Sequence, residues 1–256
     1  MNYKLLMNTA ILAGEIMLKS GAEAYRVEDT ILHILKKANT EKADTIVLMT
    51  GIVATLDNPD MKTLTVIRRV ESRGNNLNRI AKVNDISRRF CEDKISLEEA
   101  YEELQKIGGK QYRRVIYNIA TICVCGGFAP LFGGRWLEVA GAAISGAVLA
   151  AIVTIGKQLK IQGFIQDILS SFGLALMAIF LKKCFPLMNM DTVIISGIMP
   201  LVPGVAITTA IRDTLQGDYL SGAARILEAF LCAVSVALGV ALAMAATGIM
   251  GAGGVL

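Results

Sequence analysis

Apolar positions divide the chain into two parts. In residues 1–114, short apolar runs alternate with charged side chains, whereas residues 115–256 consist mainly of long apolar runs with few charges. A helix needs about 20 apolar residues to cross the ~30 Å hydrocarbon core of a bilayer, and five runs reach or approach that length. The pattern predicts five transmembrane helices, at about 115–134, 139–156, 161–181, 190–211 and 226–250.

The first part has the mixed periodicity of an α+β domain. Gly21 follows one helical stretch and Ser96 with Glu99 forms a capping box that starts another. The first stretch is apolar, but Glu15 interrupts it and it is too short to cross a bilayer, so we interpret it as part of this domain. The predicted elements are helices at 3–19, 25–38, 77–90 and 96–107 and strands at 45–50, 52–56 and 63–70, with a turn at 57–60.

Charge follows the same division. Residues 1–114 contain 19 of the 26 Lys and Arg and 16 of the 22 Asp and Glu. The rest of the chain has too few charged side chains to cover a water-soluble core, so its solvent is predicted to be lipid. The fold class is therefore an α-helical integral membrane protein with five transmembrane helices and an N-terminal soluble α+β domain. The predicted domains are a cytoplasmic domain at 1–114 and a membrane domain at 115–256.

The fourth apolar run contains Pro200, Pro203 and Gly204. Each proline removes a backbone donor and clashes with the preceding helical turn, so this span is predicted to be broken inside the bilayer. Broken spans are tolerated where freed backbone groups line a cavity, and transporters use such half-helices to hold ions and substrates. The alternative interpretation is a kink that serves packing only.

Ionisable residues at the ends of spans are candidates for the same pathway, because charge at bilayer depth is costly. Arg212 and Asp213 come directly after the broken span, and Glu228 follows Arg225 by three residues, a spacing that permits pairing. Solvation at the interface is the alternative for each of them. The candidate pathway residues are Pro200, Pro203, Gly204, Arg212, Asp213 and Glu228.

Several kinds of chemistry are disfavoured. His33 is the only histidine and the five cysteines contain no CxxC pair, so we predict no metal site, no cofactor and no catalytic residue. Basic and acidic residues are intermixed, which does not indicate nucleic-acid binding. Glu23, Arg26 and Glu28 cannot all share one helical face, so they are predicted to be surface and capping residues.

The basic residues of short loops give the orientation. With the N-terminal domain in the cytoplasm, seven basic residues lie on the cytoplasmic side and three on the other. We therefore expect a cytoplasmic N-terminus and, with five spans, a C-terminus outside.

Several segments together resemble the threonine/serine exporter family. The similarity runs along nearly the whole chain. The segments are 20–28 (SGAEAYRVE), 73–77 (RGNNL), 84–87 (NDIS), 96–100 (SLEEA), 200–204 (PLVPG), 212–213 (RD) and 217–222 (GDYLSG).

This resemblance implies an inner-membrane exporter of small polar metabolites, either threonine and serine or a dicarboxylate such as succinate. It implies that the chain matches the N-terminal module of longer members, so a separate small hydrophobic membrane subunit is expected to supply the second module, and an oligomer is expected. Glu23, Arg26 and Glu28 match the family motif in the first domain. As a hypothesis, the kinked span lines the pathway, Asp213 or Glu228 carries a coupling proton, and Arg212 contacts a substrate carboxylate.

Two other classes stay open at this point. The chain could be a membrane-tethered enzyme that processes a metabolite, or a sensor or assembly protein anchored by its bundle. The broken span favours the exporter, because an anchor needs no discontinuous helix. The sequence shows no ATP-binding signature, so a secondary mechanism is preferred over a pump.

Overall fold

The structure is a computed structural model that describes residues 2–39, 42–58, 61–71, 74–108 and 113–248. These residues form mostly helices, together with one small sheet. The chain divides into two compact units. The first contains Met1–Gly109 and Val205–Leu227, and the second contains Lys110–Gly204 and Glu228–Leu256.

Helices of the first unit begin and end where the local sequence favours it. Asn2 caps the first helix by accepting a hydrogen bond from the Leu5 N–H. The predicted capping box of Ser96 and Glu99 is confirmed, since each side chain bonds the other residue's backbone. The helices are α1 (Tyr3–Lys19), α2 (Ala24–Leu35), α3 (Leu77–Cys91), α4 (Leu97–Lys106) and, from the later part of the chain, α9 (Gly204–Leu215).

The three predicted strands form an antiparallel meander, β1 (Lys42–Leu48), β2 (Gly51–Asn58) and β3 (Met61–Arg69), in the order β1-β2-β3. Alternate side chains of β2 are buried, as expected for a sheet with one covered face. Of the turn predicted at 57–60, residues 59–60 lie outside the described residues.

Helix α1 is a core element of the first unit. Leu6, Met7 and Met17 have no exposed surface and belong to one apolar cluster with residues of α2, α3, α4 and the sheet. The interpretation of this apolar helix as part of the N-terminal fold, rather than as a membrane span, agrees with that packing.

The second unit consists of long apolar helices. Small residues allow them to approach closely: a Cβ on Gly146 would lie 2.7 Å from Cys125 Sγ, and one on Gly141 would lie 2.7 Å from Met188 Sδ. The helices are α5 (Arg114–Phe128), α6 (Trp136–Gln158), α7 (Gly163–Cys184), α8 (Met190–Ile198) and α10 (Tyr219–Ala246), whose first turns belong to the first unit.

Four helical segments of the described chain are long and apolar enough to cross a membrane, and a broken pair would make a fifth. These segments overlap all five predicted spans, with ends that differ by several residues. The continuous segments are Arg114–Phe132, Trp136–Gln158, Gly163–Cys184 and Tyr219–Ala246, and the broken pair is Met190–Leu201 with Gly204–Leu215.

Gly239 provides a test of the packing of α10 on α7. A Cβ there would overlap Ser171 Oγ and the Ile168 carbonyl oxygen and would lie 3.0 Å from Phe172 N. Backbone atoms cannot rotate away, so Gly239→Ala should cost a few kcal/mol despite the better helix propensity of Ala. The measurement is the thermal midpoint of the purified protein in detergent. Gly127→Ala in α5 is the control, since its Cβ would meet nothing within 4 Å; equal midpoints for the two variants would contradict this packing.

Candidate functional site

The predicted break in the fourth span is present. Helix α8 ends at Ile198, a 3-10 turn covers Met199–Leu201, and α9 begins at Gly204. Val202 between them is extended, with φ −64° and ψ 126°. The cause is local, because a residue that precedes proline avoids the helical region, and Pro203 follows Val202. The break therefore lies where Pro200, Pro203 and Gly204 predicted it.

Two thiols from other helices bond the carbonyls next to this break. Cys125 Sγ of α5 donates to the Gly197 carbonyl at 3.4 Å, and Cys232 Sγ of α10 donates to the Leu201 carbonyl at 3.4 Å. Side chains of neighbouring helices commonly satisfy backbone groups freed by proline inside a membrane. Both cysteines thus have a polar role that their apolar surroundings in the sequence did not indicate.

A cavity of about 300 Å³, here called the polar cavity, lies beside the break in the second unit. Pro200 and Leu201 form part of its wall, and α5, α6 and α7 supply the rest. Its lining combines an apolar base with five polar side chains. These are Tyr117, Thr121, Lys157, Gln166 and Asp167.

The first unit contains a buried ion pair. Asp213 near the end of α9 has no exposed surface and accepts a hydrogen bond from Arg225 Nε of α10 at 2.8 Å. Its other oxygen accepts from the Ala24 N–H at 3.0 Å. That N–H belongs to the first residue of α2 and has no partner within the helix, and the positive end of the helix dipole favours a carboxylate there. Arg225 also donates to the Ala22 carbonyl at 2.6 Å, so this guanidinium contacts both α9 and the loop before α2.

A second, partly exposed ion pair lies on the same loop. Glu23 Oε1 accepts from Arg212 at 2.9 Å and Glu23 Oε2 accepts from Arg26 at 3.1 Å. Burial acts to raise the pKa of Glu23, but hydrogen bonds from the backbone, Arg212 and Arg26 outweigh it and lower that pKa below its usual range. Glu23 is therefore ionised at neutral pH, and its single negative charge is shared between the two arginines. Together the residues Glu23, Arg26, Arg212, Asp213 and Arg225 are called the ion-pair cluster below.

The loop at residues 20–23, which contains Glu23 and contacts the rest of this cluster, depends on Gly21. Its φ of +86° lies in the left-handed region, and a Cβ there would lie 2.6 Å from Asn75 Oδ1. Only glycine fits both conditions. The turn that it makes after α1 is followed at once by the Ala22 carbonyl and the Ala24 N–H that bond Arg225 and Asp213.

The structure brings together four of the predicted site residues and separates the others. Glu23, Arg26, Arg212 and Asp213 share the cluster. The prediction that Glu23 lies at the surface is wrong: it precedes α2 as a capping residue, but only 4% of it is exposed, because Arg212 from a distant part of the chain covers it.

Glu28 and Glu228 lie elsewhere. Glu28 accepts a hydrogen bond from the Val47 N–H at 2.8 Å and so connects α2 to β1. Burial raises the pKa of Glu28, and the Val47 N–H only partly offsets this. Glu228 is on α10, four residues before Cys232, so both side chains share the helix face that contacts the break.

Sequence reasoning missed two features. Arg225 was considered as a partner of Glu228 and as a basic residue of the cytoplasmic side, whereas the structure pairs it with Asp213. Lys157 was counted only as a loop charge, although it lines the polar cavity with Asp167. The available signal was position, since Lys157 stands in the last turn of an apolar helix and Arg225 in the first two turns of another.

Apolar helices of spanning length and a bent helix pair beside a polar cavity define a multi-pass membrane protein. The chain belongs to the ThrE family, described as "Putative threonine/serine exporter", whose family model matches residues 8–247. This confirms the resemblance seen in the sequence motifs.

Two curated proteins are similar over most of this chain. One is named "Probable threonine/serine exporter", from Mycobacterium tuberculosis, and is 21% identical over 244 residues, which are 93% of this chain and 46% of that protein. The other is named "Probable succinate transporter subunit YjjP", from Escherichia coli, and is 22% identical over 245 residues, 94% of each chain. The chain thus spans about half the length of the first relative. No solved structure matches it.

Proposed function

We propose that this protein is a subunit of a secondary exporter that moves small polar metabolites, either threonine and serine or a dicarboxylate such as succinate, out of the cytoplasm. The observation that carries this proposal is the broken span beside the polar cavity. A helix that only anchors a domain gains nothing from a break that removes backbone hydrogen bonds inside the bilayer. The names of the two relatives support both solute classes.

The proposed orientation places residues 1–114 in the cytoplasm as a soluble domain and the C-terminus outside the inner membrane. The positive-inside count favours this arrangement. It also agrees with the ion-pair cluster, because Arg212, Asp213 and Arg225 flank the connection between the fourth and fifth spans and bond the loop at residues 22–24 of the N-terminal part. A cytoplasmic N-terminal domain requires that connection to be cytoplasmic too.

A partner subunit is part of the proposal. The relative from Escherichia coli has nearly the same length as the matched region and is itself named a subunit, whereas the relative from Mycobacterium tuberculosis is about twice as long as that region. A separate small hydrophobic membrane protein would be the partner of this subunit, and the pair would form an oligomer.

Export would be coupled to protons through Asp213 or Glu228. The carboxylate of Asp213 accepts hydrogen bonds from Arg225 and from the Ala24 N–H, and protonation would remove the negative charge that strengthens both bonds. Proton uptake at Asp213 would therefore loosen the loop at residues 22–24. Arg212, with 65% of its side chain exposed, would contact a solute carboxylate.

An efflux assay tests the function. Cells loaded with a threonine-containing dipeptide, or made to accumulate succinate, should retain the solute when the gene is deleted and release it when the gene is restored. Collapse of the proton gradient with an uncoupler should slow release. Unchanged retention for hydroxy amino acids and for dicarboxylates in the deletion strain would disprove the exporter function.

A further inference from the structure

The polar cavity contains two opposite charges. Lys157 is in the last turns of α6 and Asp167 is in the first turns of α7, and both line the cavity. Its volume of about 300 Å³ is at the lower end of the range for ligand pockets, roughly 300–1,000 Å³. A pocket of that size suits a small metabolite.

Neither charge forms an ion pair with a residue that the structure describes. The Lys157 ammonium lies 4.7 Å from the ring centroid of Tyr117, and Asp167 Oδ2 lies 3.5 Å from Cys232 Sγ. These contacts orient the two groups but do not neutralise them. Asp167 is half-buried in a spanning helix, where a carboxylate without a counter-charge is costly, whereas Lys157 is exposed at the end of α6. A ligand with both charges would therefore gain one charge-assisted contact at each residue.

We infer that the polar cavity is the solute site and that it selects a small zwitterion, whose carboxylate binds Lys157 and whose ammonium group binds Asp167. This inference rests on the proposed export function. The wall next to Asp167 is also suited to a cation, because it contains Leu201 at the end of the 3-10 turn, whose carbonyl accepts only a weak thiol hydrogen bond from Cys232. Tyr117 and Thr121 add hydroxyl groups that can bond a polar side chain.

Asp167 is the specificity-determining residue in this arrangement. A dicarboxylate would place its second negative charge against Asp167 and the carbonyl end of the turn, and such like-charge contacts reject a competing ligand. Arg212, the other proposed contact for a solute carboxylate, does not line this cavity and already pairs with Glu23, so Lys157 is the carboxylate anchor at this site. Lys157 has three donors and no carboxylate partner among the described residues.

Direct binding tests the inference separately from export. Radiolabelled L-threonine, L-serine and succinate are titrated into membranes that contain the full chain with its partner subunit, for the wild-type protein, Lys157→Gln and Asp167→Asn. Each variant should weaken binding of the two amino acids at least tenfold, since each removes one charge-assisted contact. Matched controls are Lys160→Gln and Asp191→Asn, two exposed charges outside the cavity, which should bind like the wild type.

The remaining outcomes overturn the inference. If the wild-type protein bound succinate more tightly than threonine and serine, and Asp167→Asn did not improve succinate binding, a site selective for a zwitterion would be excluded. Wild-type affinity in both cavity variants, or no binding of any of the three solutes, would show that the cavity is not the solute site. Efflux measured in the same strains distinguishes the two proposals. Normal export by the cavity variants would contradict this solute site but not the exporter function. Absence of export by the wild-type strain would contradict the exporter function itself.

Discussion

Arg225→Ala is expected to destabilise the protein more than any other single substitution in the ion-pair cluster. It would leave Asp213, which has no exposed surface, as an uncompensated buried charge, and it would leave the Ala22 carbonyl without its donor. Removal of one partner of a buried ion pair costs about 3–5 kcal/mol. For a chain of this size, that loss corresponds to a fall in thermal midpoint on the order of 10 °C, measured on purified protein in detergent.

Arg212→Ala is the matched control. It removes a neighbouring arginine whose side chain is 65% exposed, and it leaves Glu23 paired with Arg26, so we expect a loss of about 1 kcal/mol or less. The double variant Asp213→Asn with Arg225→Met should lose less stability than the sum of its single variants, because it leaves no unpaired charge. Equal midpoints for Arg225→Ala and Arg212→Ala would refute a buried ion pair at Asp213.

Removal of both prolines at the break is expected to abolish export. Each proline disfavours a continuous helix by about 3 kcal/mol, so Pro200→Ala with Pro203→Ala favours a straight span by about 6 kcal/mol. A straight span would change the shape of the polar cavity, because Pro200 and Leu201 form part of its wall. We expect efflux to fall at least tenfold while the protein remains in the membrane at its normal level.

Pro130→Ala is the control for this experiment. Pro130 is the second residue of the short 3-10 turn after α5, where a missing N–H costs no helical hydrogen bond, so its replacement should leave efflux and expression unchanged. If the double variant at the break exported at the rate of the wild type, the break would serve packing alone.

The features that the sequence predicted well arise from interactions within a few residues. The capping box, the β-branched runs that form the strands and the proline break each depend on residues close together in the sequence, and each is present. Apolar length is also local, which is why the spans could be placed before the structure was known.

The ion-pair cluster could not be predicted for the opposite reason. Asp213 bonds the Ala24 N–H across 189 positions, and Arg225 bonds the Ala22 carbonyl across 203. Helical spacing predicted that Arg225 pairs with Glu228 on the same helix. A rule based on three-residue spacing contains no information about Asp213, which lies on another helix. Glu23 was assigned to the surface on the same local grounds.

The hydrogen bonds from Cys125 and Cys232 have a consequence for how easily the broken span can be remodelled. A thiol is a weak donor, so the carbonyls of Gly197 and Leu201 are held by bonds that dissociate at little cost. Hydroxyl or amide donors at the same two positions would form stronger hydrogen bonds and would hold the break between α8 and α9 more rigidly. With sulfur there, a change of shape between residues 197 and 204 would break only weak side-chain hydrogen bonds at these two carbonyls, which suits the break to the movement that the proposed export requires.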